Sequence, residues 1–181
     1  IMDLAEGEIQ QGLNRFDTGL TLEAYLDKSY YKTASLIANS AKSVGVLSGL
    51  PDHQLDNLYA YGRNLGLAFQ IVDDILDFTG SSEVLGKPAG SDLKSGNLTA
   101  PVLYALEETP YLAGLIEREF SEAEDFEQAI GLIHKSDGIA RSRDLATQHI
   151  DRAIACLQDL PSSEPQKALV ELGSYVLRRV Y

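Results

Sequence analysis

The stretch Gly66-Leu-Ala-Phe-Gln-Ile-Val-Asp-Asp-Ile-Leu-Asp-Phe78 decides the fold. After Gly66 it contains no Gly or Pro, and its apolar residues recur with helical periodicity, so it predicts a helix. At about 100° per residue, Gln70, Asp73, Asp74 and Asp77 fall within roughly one 100° arc, while Leu67, Ala68, Phe69, Ile71, Val72, Ile75, Leu76 and Phe78 fill the rest. A narrow acidic stripe on an otherwise apolar helix is electrostatically awkward. Like charges one helical turn apart repel by about 3 kcal/mol at an effective dielectric of 20, and by under about 1 kcal/mol in open water. Facing solvent, the stripe is an ordinary acidic surface. Facing a cleft, it requires a cation or a bound proton. Hard carboxylate oxygens suit Mg²⁺, which keeps several waters and completes its shell with substrate phosphates.

Helical signals continue on both sides. Residues 1–16 place Ile1, Leu4, Ala5, Ile9 and Leu13 at helical spacing, and Thr21 can cap a helix running to about Gly49. That second helix carries Ala34, Ala38, Ala41 and Gly45, a stripe of small residues that admits a close neighbour. Pro51-Asp52 opens the helix with the acidic stripe, which fades near Gly80. The segment 80–101 is rich in Gly, Ser and Pro and reads as a long, lid-like loop. Further helices are expected over 98–107, from Thr109-Pro110, from the capping signal Ser121-Glu-Ala-Glu124 to about Lys135, over 139–160, and from Pro165 to Arg179. No alternating strand is seen, so the expected class is an all-α antiparallel bundle with 1–181 in a single domain.

Composition narrows the function. A net charge of −12 and a pI near 4.6 argue against a nucleic-acid partner, since phosphate backbones demand Lys and Arg. The single cysteine, Cys156, excludes an internal disulfide framework and reads as a small buried hydrophobe. No apolar run is long enough for a transmembrane helix, no signal peptide is visible at Ile1, and the chain opens in the middle of a helical pattern, so residues are expected upstream. Lys28 and Lys32 stand one turn apart and could form a cationic spot; for Lys28 a solvated helix face is the preferred reading. Gly86-Lys87-Pro-Ala-Gly90 could offer backbone amides and a charge to phosphate, but lacks the P-loop pattern. His53, His134 and His149 are not at ligand spacing, and no nucleophile motif occurs.

Several elements, in order, resemble the trans-isoprenyl diphosphate synthases, most of all the long-chain, solanesyl-type enzymes of photosynthetic lineages. They are Glu6-Gly-Glu-Ile-Gln-Gln11, Tyr31-Lys-Thr-Ala34, the run Gly66–Asp77, Leu85-Gly-Lys-Pro-Ala-Gly-Ser-Asp-Leu-Lys94, Gly96-Asn-Leu-Thr-Ala-Pro101 and Ser136-Asp-Gly-Ile139. The resemblance implies an isoprenoid-synthase bundle that is incomplete on its N-terminal side, because the family's first Asp-rich motif and its N-terminal basic motif do not occur here. It implies that Asp73, Asp74 and Asp77 bind Mg²⁺, and that Lys32, Thr33, Gln70 and Lys87 act on the diphosphate and the cation region. Asp92 and Lys94 would lie in a closing flap, with Lys94 near the diphosphate. Asn97 stands where many relatives place Lys.

The implied reaction joins an allylic diphosphate to isopentenyl diphosphate, giving a long all-trans polyprenyl diphosphate. The implied setting is a homodimer in cytoplasm or plastid, not secreted. The 181-residue chain alone is expected to be inactive. Three other readings compete. A non-catalytic partner subunit of a heteromeric synthase should carry degenerate Asp motifs, a class I terpene cyclase a different second metal motif, and an acidic helical scaffold no ordered motif set.

Overall fold

The computed structural model describes residues 2–80 and 89–179, apart from the side chains of 3, 6, 8, 10, 11 and 13. Within these residues the chain is helical throughout, without a strand. In order the helices are α1 (Met2–Leu13), α2 (Leu22–Ser29), α3 (Ser35–Leu47), α4 (Asp52–Thr79), a single-turn α5 (Ser91–Lys94), α6 (Ala100–Glu108), α7 (Pro110–Glu117), α8 (Asp125–Lys135), α9 (Gly138–Ala155) and α10 (Glu164–Arg178). The helix of the acidic stripe is the central one. At 28 residues α4 runs about 42 Å, with α3 on one flank and α9 on the other.

Small residues let α4 sit where it does. A Cβ on Gly66 would lie 2.5 Å from Ala34 Cα, and one on Gly62 would lie 2.7 Å from Ala38 Cα. Gly45 is crowded by Leu55 and Leu58. The stripe Ala34, Ala38 and Gly45 therefore does admit a close helix, and that helix is α4. On the far side, Ile71, Ile75, Phe78, Ala146, Ile150 and Ala153 join one apolar core. Phe69 is the exception on the apolar arc: it is partly exposed, and the Arg179 guanidinium lies over its ring at 3.9 Å.

Several boundaries match expectation. Thr21 Oγ1 accepts from Ala24 N at 3.2 Å, and the last helix, α10, ends at Arg178, one residue before the expected Arg179. Others differ for physical reasons. The helix expected from Thr21 to Gly49 is interrupted by a π-turn over Tyr30–Ala34, where Ser35 N bonds Tyr30 O and one residue is accommodated that an α-turn would not hold. The helix expected to begin at the Ser121–Glu124 signal begins only at Asp125, because Asp125 binds Arg118 and accepts from Glu122 N, folding 119–124 into a turn with Glu119, Phe120 and Glu124 at positive φ. Within the segment 80–101 read as a loop, 89–90 and 95–99 are turn or irregular, while the single-turn α5 interrupts it, α6 begins at Ala100, and Leu93, Leu98 and Ala100 are wholly buried. Cys156 is half-exposed rather than buried, its thiol bonded to Arg152 O.

Candidate functional site

The acidic stripe is split by burial. Asp73 is 48% exposed, while Asp74 and Asp77 are each 2% exposed. Asp77 faces the segment that follows α4, where its carboxylate accepts from Ser91 Oγ at 2.8 Å and from Asp92 N at 3.1 Å. Gly90 N donates to Asp77 O at 2.8 Å, so the start of α5 is pinned to the end of α4. Asp73 lies on the outer side, with Arg179 Nη2 3.7 Å from its Oδ1.

Asp74 points inward and is the centre of a relay. Thr33 Oγ1 donates to Gln70 Oε1 at 2.8 Å, and Gln70 Nε2 donates to Asp74 Oδ1 at 2.9 Å. Tyr25 Oη donates to Asp74 Oδ2 at 2.6 Å. Burial pushes the Asp74 carboxyl up to about 7 despite the opposing effect of these two hydrogen bonds. The same burial, then the Asp74 charge, holds the Tyr25 hydroxyl well above its ordinary range.

Two lysines face this relay. Lys28, Lys32, Gln70, Asp74, Asn97 and Thr99 wall one narrow cleft of about 10 Å³, room for roughly one water. Lys28 is 5% exposed and donates to Asn97 Oδ1 at 2.6 Å, so the solvated face expected for it is corrected: it belongs to the cleft. Thr99 Oγ1 is buried there with no hydrogen-bond partner among the described residues. The π-turn carries Lys32 and Thr33 to this place, and Gly7 makes room for it, since a Cβ there would lie 2.7 Å from Lys32 N.

Thus the predicted Lys32, Thr33, Gln70 and Asp74 converge. Lys94 does not: it is exposed, and its ammonium lies 5.6 Å from the centre of the Phe126 ring. Lys87 lies outside the described residues, as do the side chains of Glu6, Glu8, Gln10 and Gln11. Sequence reading missed Tyr25, because an aromatic at helical spacing reads as core. His149 is buried with Nδ1 2.9 Å from Asn64 Oδ1, whereas His53 and His134 are exposed. A larger groove of about 560 Å³, between Tyr111 and the α8 residues Glu127, Gln128 and Lys135, contains none of the predicted residues.

Among the described residues, no three Asp, Glu, His or Cys side chains form a metal cage. Asp74 and Asp77 use their oxygens in hydrogen bonds, and Asp73 alone presents a carboxylate outward. This donor set does not suit a cation held by protein alone. It does suit Mg²⁺ held by one or two carboxylates together with waters and phosphate oxygens.

A family model described as polyprenyl synthetase matches residues 1–133. The chain is 61% identical over 181 residues to a prenyl transferase of Synechocystis sp., and 52% identical over 180 residues to the chloroplastic solanesyl-diphosphate synthase 2 of Oryza sativa subsp. japonica. It covers 56% and 45% of those two proteins, so it spans about half the length of the curated relatives it matches. Among solved structures, 99% of the chain superposes on 57% of a heptaprenyl diphosphate synthase from Staphylococcus aureus, with a TM-score of 0.94 and 33% identity. It likewise superposes, with 99% coverage, on 56% of a polyprenyl synthase from Caulobacter crescentus complexed with calcium and isoprenyl diphosphate, with a TM-score of 0.90 and 36% identity.

Proposed function

The chain belongs to the polyprenyl synthetase family, and from that premise we propose that the residues at its cleft form one wall for the diphosphate of an allylic substrate in the chain elongation of a long all-trans polyprenyl diphosphate. The observation that carries this reading is that Lys32, Gln70 and Asp74 line one narrow cleft, with Thr33 bonded to Gln70 and Asp73 presented one turn from Gln70. Isopentenyl diphosphate is the second substrate in this reading, and Lys87 a further diphosphate contact. The full-length form would be a homodimer, working in a cyanobacterial cytoplasm or a plastid. Among the described residues, no helix is long and apolar enough to cross a membrane.

The slow step breaks the bond between the allylic carbon and the diphosphate oxygen, leaving diphosphate and an allylic cation. The isopentenyl double bond then attacks that cation, and a proton leaves from the adduct. Magnesium, held by Asp73 and supported by Asp74 and Asp77, would supply Lewis-acid neutralisation of the charge gathering on the leaving group. The Lys32 ammonium does the same electrostatically, at a site already oriented before the bond breaks. The relay from Thr33 through Gln70 holds Asp74 in one rotamer and so fixes the cleft wall. The buried Leu67 and Phe78, next to the stripe around the helix, give it an apolar border on one side. No protein nucleophile is needed.

Calorimetry with inorganic pyrophosphate tests the site directly. Binding should require Mg²⁺, and Asp73→Ala should weaken it at least about tenfold, the scale of one lost charge-assisted contact. Magnesium-independent binding that is equal in both proteins would remove the assignment.

A further inference from the structure

Lys28 is buried with no ion pair among the described residues. Its ammonium donates to the neutral amide oxygen of Asn97 at 2.6 Å and lies 5.7 Å from the Tyr25 ring centre, and no described carboxylate forms an ion pair with it. The nearest acidic group in the cleft, Asp74, has both oxygens occupied by Tyr25 and Gln70. An ammonium carries three donor hydrogens, and the structure uses one. Thr99 Oγ1, in the lining of the same cleft, is buried and has no hydrogen-bond partner among the described residues. Lys32, one turn along, lines the same cleft.

Burying an ammonium with no carboxylate in direct contact is costly. A lysine left there as a helix-surface residue could extend into solvent from α2. Instead Asn97, from the segment after α5, holds its head inside. An amide cannot neutralise the charge; it can only position it. Lys28, Lys32, Thr99 and Asn97 line one cleft, a donor set for an oxyanion of charge two or more.

We propose that Lys28 is a second cationic ligand, beside Lys32, of the substrate's diphosphate, with Asn97 as the positioning residue that presents it and Thr99 as a further donor. The assignment rests on the diphosphate reading above and extends it to residues from two further elements.

Titration of the 181-residue chain with magnesium pyrophosphate, followed by calorimetry alongside thermal unfolding, separates the possibilities. Lys28→Met should weaken binding at least about tenfold, with an unfolding temperature that holds or rises because a buried unpaired charge is gone. Lys28→Gln, which keeps length and hydrogen bonding without charge, should weaken it similarly and serves if the Met variant does not fold. The exchange Lys28→Met with Asn97→Lys, which returns an ammonium to the same point from the opposite element, should recover most of the affinity. Unchanged affinity in the folded Lys28 variants, with Lys32→Met still weakened, overturns the Lys28 assignment and leaves the diphosphate reading standing. Failure of the wild-type chain to bind, or indifference to both lysines, overturns both.

Discussion

Both Asp74 oxygens accept hydrogen bonds, yet burial still lifts the carboxyl to about 7, and on the other flank of α4 burial drives His149 down to about 4. These two shifts have opposite consequences. The Asp74 pKa is raised on folding, so its contribution is fully present below about 4 and is lost as pH climbs toward 7, on the order of 4 kcal/mol. The His149 pKa is lowered, so its contribution is present above about 6.5 and is lost as pH falls toward 4, on the order of 3 kcal/mol. Between pH 4 and 6.5 the two slopes oppose each other, and metal-free wild-type stability from urea titrations should be nearly flat. Asp74→Asn should expose a stability that rises with pH, and His149→Gln one that falls. Parallel profiles in all three proteins would contradict the assigned burial effects. Tyr25→Phe, which strands Asp74 Oδ2, should cost about 1–3 kcal/mol by the same titration. At this scale the sequence was half legible. Lys32, Thr33 and Gln70 were readable from local motifs, but the bonds joining Thr33 to Gln70 and Gln70 to Asp74 were not, because they depend on how the π-turn meets α4. Lys28 was misread because charge predicts exposure unless a partner such as Asn97, 69 residues away, holds it inside.

Element packing turns on where a side chain would have no room. At Gly66 a methyl group would meet Ala34 backbone at 2.5 Å, whereas at the exposed Gly114 of α7 it would meet nothing within 4 Å. Gly66→Ala should therefore push α4 from the π-turn and destabilise by about 1–3 kcal/mol, with a loss of pyrophosphate affinity because Thr33 and Lys32 move with the turn. Gly114→Ala, gaining helix propensity without a clash, should stabilise by about 0.5–1 kcal/mol. Denaturant midpoints measure both, and equal signs would contradict the packing argument. The stripe of Ala34, Ala38, Ala41 and Gly45 made a close helix neighbour readable in advance, but not that the neighbour would be α4. The π-turn was not readable, having no residue signature of its own. The burial of 89–101 was masked by its Gly, Ser and Pro content, although Leu93, Leu98 and Ala100 were apolar and spaced through it.

For the whole molecule, the question is how much of a condensing site 181 residues provide. The described residues give carboxylates on one helix, ammonium groups on the facing elements, and a cleft with room for about one water. In the proposed reading, that is one wall of a diphosphate site. The transition state needs more, since charge on the leaving group must be met from several sides and the allylic cation must be kept from water until the second substrate attacks. The net charge of −12 adds a penalty at longer range, because the global field repels an anion such as the proposed substrate. Losing even about 4 kcal/mol of transition-state stabilisation slows turnover roughly 10³-fold. The isolated chain should therefore bind magnesium pyrophosphate yet condense labelled isopentenyl diphosphate with an allylic diphosphate at least about 10³-fold more slowly than the Synechocystis relative assayed beside it. Rates within about tenfold of that relative would mean that one wall suffices, and that charge stabilisation is less divided than this arrangement of Asp73, Lys28 and Lys32 implies.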